Sequence, residues 1–153
     1  AEHLLKDQHF DRGAEDHGFL MLDRLTEMMT EHFPFLEREE AETTLRLCEK
    51  NERLFYLPAR PEFLLGYFQF YPELINVVRH QDFDTLLRCD LTQGPLIYVA
   101  VLITPGNALR TITMIVRALD ARAYAFHRHK GDEYEFHFVR NNRYAGITHA
   151  SMN

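Results

Sequence analysis

The stretch LIYVAVLITPGNALRTITMIVRALDARAYAFHR, residues 96–128, decides how this chain folds. Leu96 to Ile103 is an unbroken apolar run of β-branched, aliphatic and aromatic residues, the pattern of a strand buried on both faces. Thr104-Pro105-Gly106-Asn107-Ala108 ends it, because proline cannot continue a central strand and glycine allows a close backbone approach. Arg110 to Leu119 then repeats its apolar residues at helical spacing, and Arg122 to Arg128 returns as a strand. A helix entered through a loop of small residues presents unpaired N–H groups, which attract anions. The alternative is a plain strand-to-helix turn with Asn107 as the N-cap.

Outward from this segment, the other elements follow from period and punctuation. Phe19, Leu20, Leu22, Leu25, Met28 and Met29 recur at three- and four-residue steps, which predicts an amphipathic helix from His17 to a stop before Pro34. Leu36 to Lys50 reads as a second helix, with Glu37, Glu39 and Glu40 at the positive end of its dipole. Ala41, Thr44, Leu45 and Cys48 make its buried stripe. Arg53–Leu57 and Glu62–Tyr71 read as an aromatic hairpin around Pro58-Ala59-Arg60-Pro61, and Gly66 inside it predicts a bulge or a close contact. Pro72 to Leu87 reads either as a bent strand or as an opening helix, ending in a helical turn at Asp82–Leu87. Tyr134–Val139 closes a final hairpin across Lys130-Gly131-Asp132. The expected architecture is α+β, a mostly antiparallel central sheet with helices packed on it, in one domain over 1–153. Residues 1–16 are read as an arm and 141–153 as a loose tail.

Bulk properties narrow the function classes. With 153 residues, 46% apolar and 26% charged, the chain is long enough to bury a core without staples. Residues 1–52 hold 14 acids against 6 bases, and residues 110–143 hold 7 bases against 4 acids. The net charge of −6 argues against general nucleic-acid binding, which needs clustered Lys and Arg. No apolar stretch has membrane-spanning length and no leader pattern opens the chain, so the expected address is cytoplasmic. Cys48 and Cys89 show no paired spacing and are read as reduced thiols. The one serine, Ser151, leaves no Ser-His-Asp arrangement.

The order of elements resembles the GNAT acyltransferase superfamily. Within it, residues 90–138 look most like the RTX-toxin-activating lysine acyltransferases. Those residues are Asp90 and Gly94 before a strand, Ile103-Thr104-Pro105 at its end, an arginine-bearing helix, and Glu135-Phe136-His137 in the closing hairpin. The resemblance implies an acetyl-CoA or acyl-CoA cofactor and an amine acceptor. It departs at Ile103, where the family's phosphate loop has Arg or Gln, and at Val101, where the toxin-activating enzymes have aspartate. Their histidine near the first helix has His9, His17 and His32 as competing counterparts.

On that reading Gly106, Asn107, Ala108, Leu109, Arg110 and Thr111 hold the CoA pyrophosphate, with charge from Arg110 or Arg117. Acyl transfer needs a base for the amine and an acid for the departing thiol. Tyr98 is the candidate acid, its phenol the polar tip in an apolar wall, unless it is an ordinary core aromatic. His127 and Glu135 are the candidate bases. An odd loop in the last hairpin would put His127, His129, Glu135 and His137 on one face, and an even loop would separate them. No HExxH or Cys-rich signature supports a metal, and none is expected. Phe63, Tyr67, Phe68, Phe70 and Tyr71 line an acyl channel or else pack the core. The alternatives are a structural or assembly protein, such as a virion or phage component on a degenerate version of this fold, or an interaction module built on the acidic N-terminal helices.

Overall fold

The computed structural model describes residues 15–57, 62–131 and 133–141, the side chains of 15–20 excepted. The expected arm (beyond its last two residues), the hairpin turn at 58–61, the tail after Asn141 and His9 lie outside the described residues, as does the side chain of His17.

Helix α1 (Glu15–His32) and helix α2 (Arg38–Lys50) come first, then strands β1 (Leu54–Leu57) and β2 (Phe63–Phe70). A 3-10 turn (Pro72–Leu74) and two short helices, α3 (Ile75–Arg79) and α4 (Phe83–Leu86), fill the ambiguous stretch. Strand β3 (Leu96–Ile103), helix α5 (Ala108–Ala118) and strands β4 (Ala123–Lys130) and β5 (Glu133–Arg140) complete the order. The helical option holds over 72–86 because Pro72 opens a turn and Asp82 caps α4, its carboxylate accepting from the Thr85 amide at 3.3 Å.

The class is α+β, with one five-stranded sheet in the order β1-β2-β3-β4-β5. Every neighbouring pair is antiparallel except β3 and β4, which are parallel and joined through α5. One face carries α1 to α4. Against it Leu25, Met28 and Met29 of α1 and Ala41, Leu45 and Cys48 of α2 meet Leu54, Leu64, Val101 and Ile103. Further along the same face Leu47, Val78 and Leu86 meet Phe68, Phe70, Leu96 and Tyr98. The other face carries α5, whose Ile115 and Val116 cover Leu65, Tyr67, Ile97 and Val99. Each fully buried Leu or Ile contributes about 1.5–3 kcal/mol, so these faces supply most of the folding drive.

Two irregularities place the later features. Gly66 pairs with Val101 and Tyr67 with Val99, which makes Ala100 the extra residue of a β-bulge in β3. The bulge shifts the alternation, so Leu96 and Tyr98 share their face with Val101 and Ile103. Gly66 also supplies the expected close approach: a Cβ there would lie 2.9 Å from Cys48 Sγ and 3.0 Å from Val101 Cγ1. The second irregularity is larger. Strands β3 and β4 pair only at Leu96↔Ala123, Ile97↔Tyr124 and Tyr98↔Ala125, then diverge. Beyond Tyr98, β3 stays with β2 and β4 stays with β5, so the sheet opens at the carboxyl ends of its two parallel strands.

Candidate functional site

The opening holds a cavity of about 600 Å³, within the range of small-molecule sites. Val99 to Leu102 form one wall and Phe126 to His129 the other. Phe33, Leu36 and Leu47 approach from the α1–α2 side, and Ala108, Leu109 and Ile112 from α5. The lining therefore draws on both faces of the sheet. It is mostly apolar, and among its polar groups Gln81, Tyr98, His127 and Tyr134 contact one another.

Tyr98 is 5% exposed and brings its hydroxyl to His127 Nδ1 at 2.6 Å. His127 Nε2 lies 2.9 Å from the Arg79 carbonyl. A carbonyl oxygen only accepts, so Nε2 carries the ring proton. In the neutral imidazole Nδ1 is then the acceptor, and Tyr98 O–H donates to it. The Gln81 amide donates to the same phenol oxygen at 3.3 Å. A directed chain results, from Gln81 through Tyr98 and His127 to the Arg79 carbonyl. Burial pushes the Tyr98 phenol well above its ordinary value of 10, with the Gln81 bond opposing. Burial likewise holds His127 below its ordinary 6.5; the Arg79 bond opposes this and the charge of His137 adds to it. The pair is thus a neutral phenol and a neutral imidazole near pH 7.

The two predicted groups Tyr98 and His127 are brought together, but the third is not. Lys130 pairs with Glu133, so the hairpin loop is even: His127 stands opposite Phe136, and Arg128 opposite Glu135. Glu135 therefore sits on the other face from His127, 3.3 Å from His137, and takes no part in the cavity. His129 remains on the side of His127 and stacks on Phe35 at 3.9 Å. His32 lies 3.7 Å from Glu62, away from this cluster. Among the described residues no group of three or more His, Cys, Asp or Glu is placed to hold a metal ion.

The loop after β3 follows the turn alternative. Asn107 is the N-cap of α5, its side-chain oxygen accepting from the amides of Leu109 at 2.9 Å and Arg110 at 3.4 Å. Thr104 Oγ1 accepts from the Gly106 amide at 3.2 Å, and the Thr111 amide enters the helix through the Asn107 carbonyl. Three amides expected to meet a pyrophosphate thus carry the loop's own side chains. Asn107 and Ala108 keep amides without a protein partner among the described residues, and Arg110 is exposed. Phe68 reaches the cavity, whereas Phe70 is enclosed in the core and Tyr67 faces α5.

Sequence reasoning missed Gln81 and Tyr134. Tyr134 stacks on the His127 ring at 5.1 Å and 13°. Gln81 has no motif around it. Only its left-handed backbone, at φ +51°, marks it, and that is a property of the folded chain. Beside the cavity lies a depression of about 390 Å³ lined by Glu37, Glu39, Glu40, Asp82 and Asp84, which shares Glu40, Gln81 and Phe83 with it. Cys48 is no nucleophile: it is enclosed against Gly66, and burial pushes its thiol up to about 12.

Comparison of the chain with protein-family models, curated proteins and solved structures yields no match.

Proposed function

We propose that this domain binds an acyl thioester, acyl-CoA foremost, between the diverging strands β3 and β4 and passes the acyl group to an amine. The observation that carries this reading is the hydrogen-bonded Tyr98–His127 pair set in the wall of a mostly apolar cavity of about 600 Å³. The apolar walls suit an acyl chain, and the volume suits one longer than acetyl. The extra residue Ala100 interrupts the ladder two residues from Tyr98 and lines the same cavity. Tyr98, kept protonated by burial, is the proton donor to the departing thiolate. The carboxylates of the adjoining depression would draw a cationic amine toward the same point. A diphosphate at α5 would use the Asn107 and Ala108 amides and Arg110, or displace the Asn107 carboxamide.

A second reading, a structural or assembly protein on a degenerate acyltransferase fold, is favoured by the filled amides of Gly106, Leu109 and Arg110. Thermal unfolding with CoA and a ladder of acyl-CoA chain lengths separates the two. Binding to the folded state raises apparent stability, by about 2.7 kcal/mol at a hundredfold excess over Kd. On the first reading affinity climbs about fourfold per methylene until the cavity is full, from about 0.8 kcal/mol each. Indifference to millimolar thioesters, with stable incorporation into a larger particle, supports the second.

A further inference from the structure

Gln81 combines two features that rarely meet in one residue. Its backbone is left-handed, at φ +51°, a conformation that strains a non-glycine residue. Its side chain donates to the hydroxyl of Tyr98, a residue in the middle of the cavity wall. The turn that imposes this backbone is held by the Gln81 amide on the Val78 carbonyl at 3.1 Å and the Asp82 amide on the Val77 carbonyl at 3.1 Å. Strain of this kind persists where the surroundings over-determine it, and here it aims an amide at a phenol.

We infer that Gln81 is a positioning residue that, together with His127, sets the direction of the Tyr98 proton: toward His127 while the ring is neutral, and into the cavity once Nδ1 is protonated. The inference rests on the acyl-transfer reading for its chemistry, and on geometry alone for the proton's direction. A phenol oxygen has one proton and two acceptor sites. With His127 neutral, Gln81 fills one acceptor site and the proton lies on the 2.6 Å bond to Nδ1. With His127 protonated, both ring nitrogens donate, Nε2–H to the Arg79 carbonyl and Nδ1–H to the Tyr98 oxygen. Gln81 occupies the second acceptor site, so the O–H turns to the space that remains, which is the cavity.

The proton inventory closes. As the amine nitrogen bonds the acyl carbon, C–N forms and C–S breaks with its electron pair leaving on sulfur, which takes the Tyr98 proton, with O–H broken and S–H formed. The phenol oxygen takes the Nδ1 proton, which returns the ring to its neutral state. Solvent re-protonates His127, and solvent receives the proton lost by the amine nitrogen. The groups facing the ring are Tyr98 from β3, Tyr134 and Phe136 from β5, and the Arg79 carbonyl from α3, with the Arg79 guanidinium 5.4 Å from the Phe136 ring centre. His137 acts on it by charge from the opposite face of the hairpin.

The test uses the full chain. Nitrogen NMR of the histidine rings from about pH 5 to about pH 8 needs no reaction. The expected result is a neutral ring protonated at Nε2 that gains its second proton at Nδ1, while the Gln81 side-chain amide protons stay protected at both ends. A neutral ring protonated at Nδ1, or a Gln81 amide that turns its oxygen to the phenol at low pH, overturns the inference. Gln81→Asn keeps a residue tolerant of positive φ but cannot reach Tyr98. It should melt as the wild type does and lose about tenfold or more in kcat for acyl-CoA with KM unchanged, along with the rise in rate as His127 protonates. Wild-type kcat in Gln81→Asn would assign Gln81 to the turn alone. If the wild-type chain transfers no acyl group, the functional reading fails by itself, and the ring titration still decides the direction of the proton.

Discussion

Tyr98 sits at the centre of the functional reading, and its hydroxyl is the atom to remove. Tyr98→Phe keeps the ring in the core and leaves the Gln81 amide and His127 Nδ1 without their shared partner. The variant is expected to fold with a loss of about 1 kcal/mol, read by urea unfolding, and to transfer acyl groups about a hundredfold more slowly. Full activity would assign Tyr98 to packing. Gly94 makes a different demand. Its φ is +132°, and a Cβ there would overlap the Phe70 backbone. Gly94→Ala should therefore cost on the order of 3 kcal/mol, from strain and displacement together, and a melting temperature close to that of the wild type would refute this. At this scale the sequence is partly legible. A phenol in an apolar strand, and a glycine in a strand that meets a helix, are signals in the residues themselves. Gln81 is not, because nothing in its neighbours announces a left-handed turn.

Among the elements, α5 and the last hairpin decide what the predicted residues can do. Asn107 caps α5 through two amides, so Asn107→Ala should lower stability by about 1 kcal/mol in chemical denaturation. The same change frees the amides of Leu109 and Arg110. If a diphosphate displaces the Asn107 carboxamide, CoA affinity should rise in that variant, and unchanged affinity would leave the Asn107 and Ala108 amides with Arg110 as the only phosphate contacts open at α5. The boundaries of β3 were readable to the residue, since a run of eight apolar residues between Gly94-Pro95 and Thr104-Pro105 has only one way to sit. The parity of the last hairpin was not. Both an odd and an even loop satisfy the same alternating strand, and only the pairing of Lys130 with Glu133 turns Glu135 away from His127.

At the scale of the whole molecule, His127 contributes to the dependence of stability on pH. Its folded pKa lies below the ordinary value of 6.5, so the unfolded chain binds more protons on the acid side. This contribution to stability is complete above about pH 6.5 and is lost as pH falls through the folded value. Urea midpoints measured downward from neutral pH should decline over that window, and the decline should be shallower in His127→Gln. An equal slope in both would place the titration elsewhere. At this scale also, no described helix is long and apolar enough to cross a membrane.

Local chemistry was enough to specify the strands, the helices outside the ambiguous stretch 72–86, the α+β class and a mostly antiparallel sheet. Period, proline and glycine act over a few residues, and each is written where it acts. The diverging strands, the bulge at Ala100 and the meeting of Tyr98 with His127, 29 residues away in the chain, were decided by packing. Helices pressing on both faces of one sheet determine where a parallel pair stays closed and where it parts. That balance depends on distant side chains together, and no short stretch of residues carries it.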